Sequence, residues 1–365
     1  MLTRLTLVAA FGVALALAGG AAFAGGSAGS SSRAVPSVTS DGASAAAGRA
    51  GASAGPAQSR ATDASGPATS AAFDLQSHRG GRGEITENTL AAFEHSLAVG
   101  VTTLELDTHL TADGAVVVWH DDVLTAEKCR DTAPLSAGDP AFPYADAPVR
   151  ALTLAQIQTL DCGYQPLPDY PEQVHQPGSR VPELRAVLDL ASGHATVRLN
   201  IETKALEPGE PAMRALTHAV VSAVRASGLT HRAGLQSFDW ASLNLAHQLD
   251  PQLRVTALSR GDTWLGRGEP AASPHLGGLD IDDHGGSVAR AAAFAGYDAI
   301  SPAHATVTAQ MVTDAHRLGL SVSPWTVSDP DHMHTLIDLG VNGLITDHPA
   351  RLRAVMQDRG MPLPP

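Results

Sequence analysis

Residues 196–204 read Thr-Val-Arg-Leu-Asn-Ile-Glu-Thr-Lys, and their alternation decides the fold. On an extended strand successive side chains point to opposite sides, so Asn200, Glu202 and Lys204 share one face and Leu199, Ile201 and Thr203 the other. The stretch Thr-Thr-Leu-Glu-Leu-Asp at 102–107 repeats the device. Glu105 and Asp107 face one way, while Leu104 and Leu106 face the packing between strands and helices.

Working outward, β-leaning runs at 74–79, 233–238, 254–258, 298–301, 320–327 and 343–347 alternate with helical patterns at 88–99, 211–227, 240–249, 308–318 and 329–339. Strand then helix, repeated, is the signature of a parallel α/β fold. With 102–107 and 196–203 the strands number eight, which predicts a (β/α)8 TIM barrel. Two further runs, 116–119 and 278–281, are assigned to loops. Gly100, Gly228, Gly319 and Gly340 each stand just past a helical segment, where a left-handed residue closes the helix. The alternative is an open doubly wound sheet, but no G-x-G-x-x-G follows the first strand.

One segment breaks the rhythm. Residues 121–182 hold both cysteines, many prolines and one helix candidate, 154–160, and read as a small insertion between the second and third barrel strands. Insertions there commonly lie over the barrel mouth and shape its pocket. In an exported protein the pair Cys129 and Cys162 reads first as one disulfide, with two free thiols as the alternative.

Export itself is read from the N-terminus. Arg4, the apolar run 5–17 and Ala22-Phe23-Ala24 form a signal peptide over 1–24. The apolar run, about 13 residues, is short of the roughly 20 that span a bilayer, so an uncleaved anchor is the weaker reading and no stable membrane insertion is expected. Residues 25–70, almost free of large apolar side chains, are expected to be a disordered tether, or equally a neutral leader. The barrel domain is expected over 71–356 and a tail over 357–365. The chain carries a formal charge of −13, and removing the +1 of Arg4 takes it to −14, which argues against a nucleic-acid partner.

Chemistry-bearing residues gather where strands end. His78 and Arg79 follow the first strand, Glu105 and Asp107 end the second, and Glu202 and Lys204 end the third. Converging carboxylates repel one another and lose hydration, so a hard divalent cation, Ca2+ or Mg2+, is the economical companion for Glu105, Asp107 and Glu202. Lysine occurs only at 128 and 204. An ammonium at Lys204, beside a metal carboxylate, suits a phosphoryl oxygen; the alternative is a surface lysine at a strand end. His120 ends the run Val116-Val117-Val118-Trp119-His120 and with His78 offers two imidazoles for acid and base work on a phosphodiester. Arg79 could grip a phosphate in forked geometry or close the barrel end in an ion pair. His332 and His334 read as solvated.

Taken together the motifs resemble the glycerophosphodiester phosphodiesterase family. They stand as His78-Arg79-Gly80, Glu87-Asn88-Thr89, Ala92-Phe93, Glu105-Leu106-Asp107, Val117-Val118-Trp119-His120-Asp121 and Glu202-Thr203-Lys204. Later come Ser237-Phe238, Trp325-Thr326-Val327 and Gly343-Leu344-Ile345-Thr346-Asp347-His348-Pro349. The resemblance spans about 73–352 and includes the insertion. It departs at Thr86, where proline is usual, and at Ser328, where asparagine is usual. The resemblance implies a divalent ion on Glu105, Asp107 and Glu202, an acid–base pair of His78 and His120, and phosphate contacts from Arg79 and Lys204. Trp325 stacks on the glycerol moiety or belongs to the core.

The expected reaction is metal-dependent hydrolysis of small glycerophosphodiesters or glycerol-phosphate polymers to glycerol 3-phosphate and an alcohol, outside the cell. The rival readings are a phospholipase D-like enzyme on intact lipids, such as sphingomyelin, and a non-catalytic polyol-phosphate binding protein.

Overall fold

The computed structural model describes residues 72–204 and 211–365; the expected signal peptide and tether lie outside the described residues. Nine strands occur among them: β1 Asp74–Ser77, β2 Thr103–Leu110, β3 Val116–Val118, β4 Arg198–Thr203, β5 Ala233–Ser237, β6 Arg254–Ser259, β7 Ala299–Pro302, β8 Ser321–Val322 and β9 Gly343–Thr346. Eight run parallel in the order β8-β7-β6-β5-β4-β2-β1-β9 and form a nearly closed barrel. At the seam between β8 and β9 no regular ladder forms, because β8 is short and Pro324 lacks the N–H a strand would donate. Three backbone bonds bridge the seam instead: Asn342 N–H to Val322 O (2.8 Å), Ile345 N–H to Pro324 O (3.0 Å) and Val327 N–H to Ile345 O (2.9 Å).

The alternation seen in the sequence sorts the barrel's two faces. Leu104, Leu106, Leu199, Ile201, Leu235 and Val255 pack outward with helical residues such as Val220, Val224 and Leu243 in one continuous core. Burying each such side chain contributes about 1.5–3 kcal/mol. The inward face is polar and internally bonded: Asn200 Nδ2 donates to Gln76 Oε1 (2.9 Å) and Gln236 Oε1 (2.8 Å). A buried amide triad of this kind is tolerated because its donors find acceptors.

The helices expected at 88–99, 211–227, 240–249, 308–318 and 329–339 appear as Leu90–Val99, Pro211–Ala226, Trp240–Leu249, Ala309–Arg317 and Pro330–Asp338. Thr89, Asp239, Thr308 and Asp329 cap four of them through their side-chain oxygens, which is why each begins where it does. Gly100, Gly228, Gly319 and Gly340 all have positive φ, as their positions require. Three further helices, Leu184–Ser192, Val288–Phe294 and Pro349–Asp358, complete the outer layer. The last runs two residues into the stretch assigned to the tail.

One assignment is corrected. Residues 116–118 form strand β3, antiparallel to β2, with Thr108 opposite Val118 and Leu110 opposite Val116. β2 overshoots its parallel partner, whose pairing ends at Thr108 with Thr203, and the β-branched Val-Val-Val run takes up the exposed edge. The hairpin carries Trp119 and His120 back to the barrel mouth.

The insertion has a core of its own around Trp119, Leu124, Tyr144, Ile157 and Leu160, and Cys129 and Cys162 are disulfide-bonded within it, 33 residues apart. A loop of that length loses enough unfolded-state entropy for the bond to contribute about 3–4 kcal/mol. Replacing both cysteines by serine is expected to expose 121–182 to limited proteolysis while the barrel fragment persists. Unchanged cleavage kinetics would show that the disulfide is not what holds the insertion.

Candidate active site

At the C-terminal ends of the strands lies a cavity of about 330 Å³ that brings together His78, Glu105, His120, Glu202 and Lys204 with Asp347. Each side chain arrives by a local cause. After β1 the chain turns sharply through His78–Gly80, and Arg79 takes a left-handed φ of 53°. That conformation is costly for a side-chain residue. Two bonds hold it: Arg79 N–H donates to Glu105 Oε2 (2.8 Å), and Arg79 O accepts from Asn88 N–H (2.9 Å). Gly80 follows because a Cβ there would stand 2.7 Å from Ala92 Cβ.

Glu105 and Asp107 on β2 and Glu202 on β4 form the acidic centre. In the parallel register Asp107 lies opposite Glu202, and one oxygen of each carboxylate falls within 4.8 Å of the others. All three are buried. Burial first, then repulsion from Asp107 and Glu202, pushes the Glu105 carboxyl well above the usual carboxylate range. For Asp107 burial acts the same way, but the charges of His120, Arg79, Lys204 and His78 outweigh it and hold its pKa low. Asp107 Oδ2 accepts from Asn88 Nδ2 (3.0 Å) and faces Arg79 Nε at 3.3 Å. Its Oδ1 is buried without a hydrogen-bond donor, with Lys204 Nζ at 3.6 Å. An oxygen-only set, crowded and buried, with one carboxylate oxygen of Asp107 left without a hydrogen bond, fits a hard divalent cation.

The two imidazoles are held alike. His78 Nδ1 meets Asp347 Oδ1 at 2.5 Å, and Asp347 Oδ2 accepts from the hydroxyl of Tyr170 at 2.5 Å. His120 Nδ1 meets Asp121 Oδ1 at 2.6 Å, and Lys128 Nζ donates to Asp121 Oδ2 (2.6 Å) and to Glu87 Oε1 (2.8 Å). In both, a carboxylate orients the ring through Nδ1 and a side chain of the insertion orients the carboxylate. Nε2 is then the nitrogen left for chemistry. Burial, aided by the charge of Arg79, lowers the His78 pKa against the opposing pull of Asp347. The Asp347 carboxylate is held below its ordinary range: burial opposes ionisation, but His78, Tyr170 and Arg82 outweigh it.

Of the residues picked out from sequence, His78, Arg79, Glu105, His120, Glu202, Lys204 and Trp325 line this one cavity, and Asp107 stands directly behind it. Arg79 is less open than a free phosphate clamp. Its Nη1 faces Glu87 at 3.2 Å and its Nε faces Asp107, so much of its fork is engaged with carboxylates. Burial disfavours its charge, yet Glu87, Asp107 and Glu105 raise its pKa overall. Glu87, shared among Arg79, Lys128 and Arg82, is lowered to about 2 against burial. Trp325 is fixed by Nε1 donating to Ser301 O (2.9 Å) and meets Phe238 edge to face at 5.3 Å.

Sequence reasoning missed Tyr170, Gln236 and the roles of Asp347 and Lys128. Gln236 Nε2 donates to Glu105 Oε1 (2.8 Å), and its position two residues before Phe238, facing inward with Asn200, was a usable signal. Lys128 was visible as one of two lysines. Tyr170 had no signal, because its partner lies 177 residues away.

Comparison with known proteins agrees with this geometry. A model of the glycerophosphoryl diester phosphodiesterase family matches residues 78–351. A glycerophosphodiester phosphodiesterase of Caldanaerobacter subterraneus subsp. tengcongensis is 27% identical over 287 residues, 78% of this chain and 98% of that one. A Silicibacter pomeroyi crystal structure, named for the same family, shares 32% identity with a TM-score of 0.68, covering 80% of this chain and 95% of the other. An Oleispira antarctica phosphodiesterase, solved with the product sn-glycerol-3-phosphate, is 19% identical with a TM-score of 0.58, covering 78% and 96%, and shares the fold.

Proposed function

This chain belongs to the glycerophosphoryl diester phosphodiesterase family, and we propose that its cavity hydrolyses glycerophosphodiesters to glycerol 3-phosphate and an alcohol through paired histidines beside a divalent cation. The observation that carries the reading is the doubled arrangement at the barrel mouth. Two imidazoles, each steered by a carboxylate, flank a buried trio of carboxylates.

Glu105, Asp107 and Glu202 would hold Ca2+ or Mg2+, which when bound supplies positive charge to the phosphoryl oxygens. Lys204, 2.9 Å from Glu202, and the part of Arg79 not engaged with Glu87 and Asp107 add fixed positive charge on the phosphate. His78, whose pKa burial lowers, takes the proton from the attacking hydroxyl at Nε2. His120 gives a proton from its own Nε2 to the departing alkoxide. Asp347 and Asp121 prevent either ring from turning, and each offsets the charge of a protonated ring. Trp325 supplies an apolar wall against which substrate carbons rest.

The leader over 1–24 supports export, which would bring the enzyme to deacylated phospholipids or to glycerol-phosphate polymers. The test is release of glycerol 3-phosphate from glycerophosphocholine, with EDTA and then with added Ca2+ or Mg2+. Activity is expected to vanish on chelation and to return with one ion. Full turnover in EDTA would remove the metal from the proposal, and no turnover with any ion would remove the diester reaction.

A further inference from the structure

The cavity is also lined by a cation that the proposed chemistry leaves unused. The arginines and lysine lining the cavity are Arg79, Arg82, Lys204 and Arg260. The first three sit in ion pairs with Glu87, Asp107 or Glu202. Arg260, just past the end of β6 and exposed, has no carboxylate within salt-bridge distance among the described residues. Its guanidinium instead lies over the face of Phe238, 4.6 Å from the ring centre, and 6.0 Å from that of Trp325. Phe238 is braced in turn by Trp264 and Trp325, both edge to face at 5.8 and 5.3 Å, so the platform beneath the arginine is fixed on two sides.

We propose that Arg260 selects the alcohol half of the substrate, favouring glycerophosphodiesters whose leaving group carries a second anion over those with a cationic head group. The proposal rests on the diesterase reading above. An aromatic face at the mouth of a phosphodiester site would ordinarily attract a quaternary ammonium group. Here a guanidinium already covers the face of Phe238, so a trimethylammonium group meets like charge where it would otherwise meet a ring. A phosphate or carboxylate on the same alcohol meets an unneutralised, forked donor. In a chain of net charge −13 such a local cation is also what draws an anion inward.

The test uses the purified protein with saturating metal and three substrates: glycerophosphocholine, glycerophosphoglycerol, and glycerophosphoglycerol bearing a terminal phosphate. The phosphorylated substrate is expected to exceed glycerophosphocholine in kcat/KM by about tenfold or more, mainly through KM, and added salt should shrink the ratio. Arg260→Gln is expected to bring the ratio near one, Arg260→Glu to invert it, and Arg260→Lys to keep most of it. Arg260 is a surface side chain, and circular dichroism of each variant establishes that the fold is retained. Cleavage of all three substrates with a ratio that Arg260→Gln leaves unmoved overturns this proposal alone. Cleavage of none by the wild type overturns the diesterase reading, and this proposal falls with it.

Discussion

Replacing His78 by alanine is expected to lower kcat by about 10³-fold while KM changes little, because a positioned general base contributes about 10²–10⁴ to a proton-transfer step. The ring is partly buried and already held by Asp347, so the loss falls on the transition state. The pH profile gives a second readout. Burial keeps the His78 pKa below the ordinary imidazole value of about 6.5, so its basic form persists as pH falls past that value. The acid limb of kcat/KM should therefore lie below pH 6.5. Asp347 pulls the other way, raising the His78 pKa, so Asp347→Asn should move the limb to still lower pH while lowering the rate through a loosened ring. Retention of more than a tenth of wild-type kcat by His78→Ala would remove the imidazole from the proton transfer.

The second large effect is expected at Asp107. Asp107→Asn keeps the shape but removes one of the proposed metal ligands, and turnover at moderate metal concentration should fall by about 10³-fold, comparable with loss of a principal electrostatic group. The fold should survive. Arg79 retains Glu87, and Glu105, whose pKa Asp107 helps to raise, is relieved of that repulsion. The independent readout is thermal unfolding with and without metal. An ion at 100 times its Kd stabilises the wild type by about 2.7 kcal/mol, and the variant should show little of that shift at the same concentration. An equal shift in both proteins would place the ion elsewhere.

The barrel and the acidic centre were legible for the same reason. Period-two alternation at 102–107 and 196–204 reports both that the segment is a strand and which side chains point inward, since the strand geometry itself fixes the two faces. The helices at 211–226 and 240–249 were legible from apolar spacing, whereas Val288–Phe294 was hidden by an alanine-rich run with little contrast between its faces. The hairpin strand β3 was misassigned although Asp113-Gly114 marks a turn just before it, because a three-residue run is too short to count as a barrel strand. Its partner is the overhang of β2, which exists only once β4 has paired and stopped. Arg79 shows the converse: its place was right, but its engagement with Glu87 and Asp107 depends on a left-handed turn and a helix start that no local pattern encodes.

What the amino-acid sequence determined by itself was therefore everything set by local backbone geometry. That covers the eight barrel strands, the inward faces that carry Glu105 and Asp107 on one strand and Glu202 on the next, and the five helices with clear apolar spacing. Only the tertiary structure decided how the imidazoles are held. Tyr170 reaches Asp347 across 177 residues, and Lys128, which also holds Asp121, reaches Glu87 across 41, because the insertion folds onto the barrel mouth. Hydrogen bonds and ion pairs act over a few ångströms and are indifferent to separation along the chain, so these partners became visible only when the chain had closed.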